Sequence, residues 1–141
     1  MSVNYQRPPN FEQILAAFPD ADKPGVIFAF GNTIHNPSGG VIPPALLAHE
    51  AVHQQRQLLR GAEHGPAAWW ADYCAFAEFR YREELLAHAA EYKAQEHGLD
   101  GNRRAKLFMN TVARLVAPLY NYQPPLSFSE TTRDLRRELE R

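Results

Sequence analysis

His49-Glu50-Ala51-Val52-His53 sets two imidazoles four residues apart with a carboxylate beside the first. On a helix of 3.6 residues per turn, positions i and i+4 share a face, so both rings can reach one metal ion while Glu50 is rotated away by about 100°. This is the H-E-x-x-H pattern of a zinc hydrolase. The chemistry asks for these residue types: neutral imidazole nitrogens ligate zinc well, and a carboxylate that reaches the activated water without binding the metal can take its proton. A catalytic zinc also needs a third protein ligand and an open fourth position. Glu83 and Glu84 follow thirty and thirty-one residues after His53 as adjacent candidates, and His35, His64, His88 and His97 are further ones.

The elements that must position these groups can be read from punctuation and periodicity. The segment from Ile42 to Gly61 has proline at its first turn and glycine after its last, which predicts a helix carrying both histidines. Projected at 100° per residue, Leu47, Ala48, Ala51, Val52, Leu58 and Leu59 form an apolar arc that excludes His49 and His53, so the pair is expected to lie off the core stripe. Pro66 opens a long helical segment that runs through Trp69, Trp70, Tyr73, Phe76, Phe79, Leu85 and Leu86 to His97-Gly98, as one bent helix or two. A further helix is expected over roughly Asn102 to Ala117, then an irregular aromatic linker from Tyr120 to Pro125. The last helix begins after Ser127 or Ser129, and its Arg/Glu-rich tail is expected to be a solvated face that frays. Toward the N-terminus, Phe11 to Phe18 reads as a short helix capped by Asn10 and stopped by Pro19. Val26-Ile27-Phe28-Ala29-Phe30 reads as a strand that Thr33-Ile34-His35 can pair with across Gly31-Asn32. The expected fold is therefore mainly α with a small β-hairpin. Residues 1–141 are taken as a single domain, with an irregular N-terminal segment over 1–24 and a charged C-terminal helix over 126–141.

Composition narrows the function. With 141 residues, 45% of them hydrophobic and 11% aromatic, the chain is long enough for a globular core. A net charge of −1 and a pI near 6.6 give no electrostatic footprint for nucleic acid or anionic lipid. The single cysteine, Cys74, sits among Trp70, Tyr73 and Phe76 and reads as an apolar thiol rather than a nucleophile. There is no basic stretch leading into an apolar signal core and no run of 18 apolar residues, so neither a signal peptide nor a membrane span is expected. The expected location is the cytoplasm or a phage-like particle.

The chain resembles the gluzincin class of metallopeptidases, in which a downstream helix supplies a glutamate within Glu-x-x-Ala followed by a polar residue. Glu84-Leu85-Leu86-Ala87-His88 has that form. More loosely, Leu47 to Gln55 and the Trp69-Trp70 segment are similar to minimal gluzincin-like domains of bacterial and phage proteins, over about residues 45 to 95. The resemblance implies that His49 and His53 bind Zn2+, that Glu50 is the general base, that Glu84 is the third ligand, and that Ala87 is small so that two helices can approach. It departs at His88, where such families carry Asp or Asn to orient a ligating histidine, which leaves His88 as a supporting or transition-state residue.

The helical projection leaves Glu83 open beside Glu84, because Glu83 shares an arc with Phe76, Phe79, Leu86 and Ala90, where a carboxylate needs a partner such as Arg80 or Arg103. Tyr81, His88, Tyr120, Tyr122 and His35 have the right chemistry to hold an oxyanion. Trp69-Trp70 is expected to pack in the core, and a substrate peptide is expected to add as a strand to the Val26–Phe30 hairpin. The reading is a zinc-dependent hydrolase cleaving peptide bonds in a peptide or protein substrate. Its rivals are a binding or structural component of a larger phage-like assembly with a structural zinc, and a zinc amidase acting on cell-wall peptides.

Overall fold

Proline or glycine opens three of the six α-helices and both 3-10 turns of the computed structural model, which describes all 141 residues. In chain order these are β1 (Ser2–Asn4), α1 (Phe11–Ala17), a 3-10 turn (Pro19–Asp22), β2 (Phe28–Phe30), β3 (Thr33–His35), α2 (Pro44–Leu58), α3 (Gly65–Ala75), α4 (Ala77–Gln95), α5 (Gly101–Leu115), a second 3-10 turn (Pro118–Tyr120) and α6 (Phe128–Leu139). The fold is mainly helical, as expected.

The hairpin forms, with β2 antiparallel to β3 and Ala29 opposite Ile34. Gly31, at φ 58°, makes the turn possible, since that left-handed conformation is strained for a residue with a Cβ. A third strand completes the sheet in the order β1-β3-β2, with β1 parallel to β3. Ser2-Val3-Asn4 carries no periodic signal. It is held by non-local bonds, Ser2 N to Asn32 O at 3.0 Å and Asn36 N to Asn4 O at 2.8 Å.

The long helical segment is two helices, broken at Phe76, whose backbone is extended (φ −121°, ψ 110°). Arg80 stabilises the break by donating to the carbonyl of Tyr73 at 2.7 Å, a group left without a helical partner by the interruption. One boundary expectation is corrected, and one pair of alternatives is decided. Asn10 does not cap α1; its amide instead reaches Gln13 Oε1 at 3.3 Å. α6 is capped by Ser127, whose Oγ accepts from Glu130 N at 3.2 Å. The Arg/Glu-rich tail does present a solvated face, with Arg133, Arg136, Arg137, Glu140 and Arg141 exposed, while Thr131 and Leu135 are buried on the other side and tie α6 to α4 and α5.

Apolar side chains form two separate clusters. One joins α1, β2 and α3 through Phe11, Ile14, Phe18, Phe28, Trp69, Trp70 and Tyr73; the other joins α4, α5 and α6 through Ala89, Tyr92, Phe108, Val112, Leu115 and Leu135. Between them α2 lies along α4, and this contact is polar. The buried face of α2 is Ala45, His49, Glu50, His53, Gln54 and Gln57, while Leu58 and Leu59 are 39% and 73% exposed. The expectation that the histidines lie off the core face is therefore reversed. The facing side of α4 is also polar, with Arg80, Glu83, Glu84, His88 and Glu91 buried, and His49, His53 and Arg56 of α2 meet Glu91, Glu84 and Glu83 across it.

α3 crosses α2 closely at Gly65. A Cβ there would lie 2.3 Å from the carbonyl oxygen of Gln57 and 2.9 Å from the carbonyl carbon of Arg60, both backbone atoms. Gly65→Ala is expected to destabilise the protein by roughly 2–3 kcal/mol, the range for overpacking against an unyielding wall. Chemical denaturation checks this, and a change below about 0.5 kcal/mol would contradict so tight a crossing.

Candidate metal centre

α2 presents His49 and His53 one turn apart, and their Nε2 atoms are 3.2 Å from each other. Glu84 reaches both from α4: its Oε1 is 3.0 Å from His53 Nε2 and its Oε2 is 3.3 Å from His49 Nε2. Three donors at about 2.0–2.1 Å from one tetrahedral ion stand about 3.3–3.4 Å apart; the Nε2–Nε2 spacing is close to that edge, and the Glu84 carboxylate spans the two rings with a different oxygen against each. All three side chains are buried, and Glu84 Oε2 has no hydrogen-bond partner in the protein. A buried carboxylate oxygen with no hydrogen-bond partner in the protein, beside two imidazoles, is chemistry that a cation satisfies. The residues present could therefore hold a metal ion.

The supporting contacts are specific. Glu84 Oε1 accepts from Tyr73 Oη at 2.6 Å. His49 Nδ1 lies 3.0 Å from Glu91 Oε1, and Glu91 is in turn paired bidentately with Arg114 of α5. This carboxylate fixes the ring and directs Nε2 inward, the usual arrangement behind a metal-binding histidine. His53 is held by packing on Trp69, with ring centroids 5.1 Å apart, and its Nδ1 has no protein partner. Glu50 is buried with its Oε1 4.0 Å from His49 Nε2, beside the donors rather than among them.

In the metal-free protein the electrostatics reflect this crowding. Burial opposes charge on every member. On Glu84 the neighbouring His53 and His49 outweigh it and hold the carboxyl well below the ordinary range. On His49 the carboxylates of Glu84, Glu91 and Glu50 outweigh it and push the pKa up to about 10. On Glu50 burial wins and raises the carboxyl, while His88, buried beside a charged His49, is pushed down to about 3 and is neutral. Zinc must displace the proton on His49, whose ordinary pKa is lower, and Glu84 offers an ionised oxygen throughout. Zinc affinity is therefore expected to rise with pH across the neutral range, by up to about tenfold per unit, and to level off near pH 10. Competition against a chelator, corrected for the chelator's own protonation, measures it; a pH-independent affinity would contradict the pairing.

Of the two adjacent glutamates, Glu83 is engaged elsewhere. Its carboxylate accepts from Arg56 Nε at 3.1 Å and from Trp69 Nε1 at 2.6 Å. The partner is Arg56, not Arg80 or Arg103. Among the other histidines, His35 lies against Gln6 O in the sheet, and His64 and His97 are exposed in loops. His88 does reach the centre, with Nε2 3.5 Å from Glu84 Oε2, but it orients no ligand and instead pairs with Tyr120 Oη at 2.8 Å. Of the three candidate tyrosines, Tyr81 bonds Asp134 and Tyr122 packs against Tyr81, so Tyr120 is the one that joins Tyr73 at the centre. Glu91, Arg114 and Tyr73 were not identified as parts of the site from sequence, although Glu91 falls on the same face of α4 as Glu84, seven residues on.

These groups line a cavity of about 310 Å³ whose wall is otherwise largely apolar, with Ile14, Phe18, Phe28, Trp70 and Leu119 among its residues. Trp69 and Trp70 both pack in the core and border this space. The expected strand-addition site is partly closed. The Ala29 carbonyl already accepts from Gln57 Nε2 and Trp70 Nε1, both at 2.9 Å, and Gly31 N donates to Gln57 Oε1 at 2.7 Å. The Gln57 amide takes the place that one residue of an added strand would occupy along Phe28–Phe30.

No helix is long and apolar enough to cross a membrane. In comparisons with known proteins, no family model, no curated protein and no solved structure matches the chain.

Proposed function

We propose that this protein is a zinc-dependent hydrolase that cleaves peptide bonds, with a gluzincin-like ligand set of His49, His53 and Glu84. The observation that carries the reading is the convergence of the two Nε2 atoms and of a carboxylate that faces both of them on the wall of a cavity, with the Glu50 carboxylate beside them. Burying Glu50, Glu84, Glu91, His49 and His88 between two helices is costly, and apolar side chains of similar volume would fill the same space at lower cost. Strongly shifted ionisable groups gathered at a cavity are the pattern of a working site.

A zinc ion held there would polarise the scissile carbonyl and lower the pKa of a water toward ~7. Glu50 takes the proton from the attacking water, for which its burial-raised pKa suits it, and passes it to the leaving amine. Glu91 keeps His49 oriented, and the Arg114 guanidinium keeps Glu91 ionised. With its proton on Nε2, the neutral His88 donates to Tyr120 Oη and leaves the Tyr120 O–H free as the donor for developing oxyanion charge.

A structural zinc would call for a fourth protein donor to close the coordination; the candidate is His88, whose Nε2 is 3.5 Å from Glu84 Oε2 but is already paired with Tyr120 Oη at 2.8 Å. Incubation of the protein with a diverse peptide mixture, followed by mass spectrometry of the products, tests the reading. Cleavage that stops on chelation and returns with zinc is expected; a zinc-loaded protein that leaves every peptide intact would contradict it.

A further inference from the structure

Arg114 is the one arginine or lysine on the cavity wall, and its pairing with Glu91 leaves much of it unused. A guanidinium carries five N–H donors. Two of them serve Glu91, one each from Nη1 and Nη2, and Arg114 makes no other hydrogen bond. The side chain is 49% exposed, unlike Glu91 behind it, so its remaining donors are open to a ligand. A planar fork held in place by one carboxylate is well suited to receive a second.

Its position relative to the metal centre sets what that ligand can be. Arg114 Nη2 is 3.2 Å from Glu91 Oε1, which is 3.0 Å from His49 Nδ1. The imidazole ring and the metal bond beyond it add about 4 Å, so the guanidinium lies within about 10 Å of the metal position. One residue of extended peptide spans about 3.3–3.6 Å. A chain whose scissile carbonyl sits at the metal therefore brings a carboxylate to Arg114 one or two residues downstream. The apolar wall formed by Ile14, Phe18, Phe28 and Trp70 accepts a bulky side chain, and about 310 Å³ is room for one or two residues rather than a long segment.

We propose that the cavity takes the carboxyl-terminal end of a peptide, with the terminal carboxylate on Arg114 and an apolar terminal side chain against Phe28 and Trp70. This substrate class rests on the hydrolase reading above. The reaction is then removal of one or two residues from the carboxyl end. Water adds across the C–N bond, its hydroxyl to the acyl carbon, and Glu50 carries its proton to the departing amine.

The test uses zinc-loaded Glu50→Gln protein, so that nothing turns over, with N-acetyl-phenylalanine and its amide as probes and quenching of the cavity tryptophans as the readout. The acid is expected to bind about tenfold or more tightly than the amide, the margin of a charge-assisted bidentate contact. The additional change Arg114→Met, compared at equal zinc content because Arg114 also holds Glu91, is expected to bring the acid down to the affinity of the amide measured on the same variant. Equal binding of acid and amide before any change at Arg114 overturns the proposal, as does a preference that survives Arg114→Met, which would put the carboxylate on the zinc. Failure of the hydrolase reading looks different: the chain takes up no zinc, and the acid-over-amide preference is then read on the metal-free protein.

Discussion

Glu50→Gln is expected to keep the zinc of the parent protein and to lower peptide hydrolysis by roughly 10³-fold or more, near the upper part of the range for a positioned general base. The argument rests on where Glu50 lies. It is next to His49 in sequence but rotated away on α2, so its carboxylate sits beside the donor triangle, with Oε1 4.0 Å from His49 Nε2. A neutral amide of the same shape leaves the three donors untouched and removes only the proton acceptor. Folding should not suffer, because burial already raises the pKa of Glu50, and an uncharged side chain relieves that cost. Steady-state kinetics beside metal analysis checks both halves. Hydrolysis within about tenfold of the parent, at full zinc content, would remove Glu50 from the chemistry.

The second large effect separates two neighbouring carboxylates. Glu84→Gln is expected to weaken zinc by roughly 10³-fold, one ligand's share of a site's binding energy, while Glu83→Gln leaves zinc affinity within about tenfold. Glu84 loses its ionised oxygens, which stand 3.0 and 3.3 Å from the two imidazoles. Glu83 instead holds Arg56 and Trp69, so its loss is expected in stability, at roughly 1–3 kcal/mol, discounted because Arg56 is partly exposed. Zinc titration and thermal melting of both variants read the two effects apart. The reverse pattern would exchange the roles of Glu83 and Glu84.

Much of this centre was legible because its pieces are local. Residues 49 to 53 are one helical turn, Glu84 opens a recognisable short pattern, and the hairpin is written in β-branched residues around Gly31-Asn32. What pattern reading inverted is the burial of α2. A helical projection assumes that the apolar arc faces inward, and it fails when a helix packs its polar side on another polar side, as α2 does on α4. Glu91 was visible on the right face of α4, but its partner Arg114 lies on α5, and nothing local joins them. Gln57 is similar: its service to Ala29 and Gly31 spans more than twenty-five residues, and no motif announces it. Tyr120 read as part of an aromatic linker and as one of five oxyanion candidates by type, with nothing local to single it out. Its place at the centre depends on the 3-10 turn over Pro118–Tyr120 and on Asn121, whose left-handed backbone (φ 50°) reverses the chain.

Metal content after exhaustive dialysis, measured by mass spectrometry on the unmodified chain beside His49→Ala, tests the central claim most directly. The account predicts close to one zinc per chain in the parent and nearly none in His49→Ala. A parent chain that holds no zinc, and whose folding a chelator leaves unchanged, would contradict it and leave two polar helix faces without a metal to explain them.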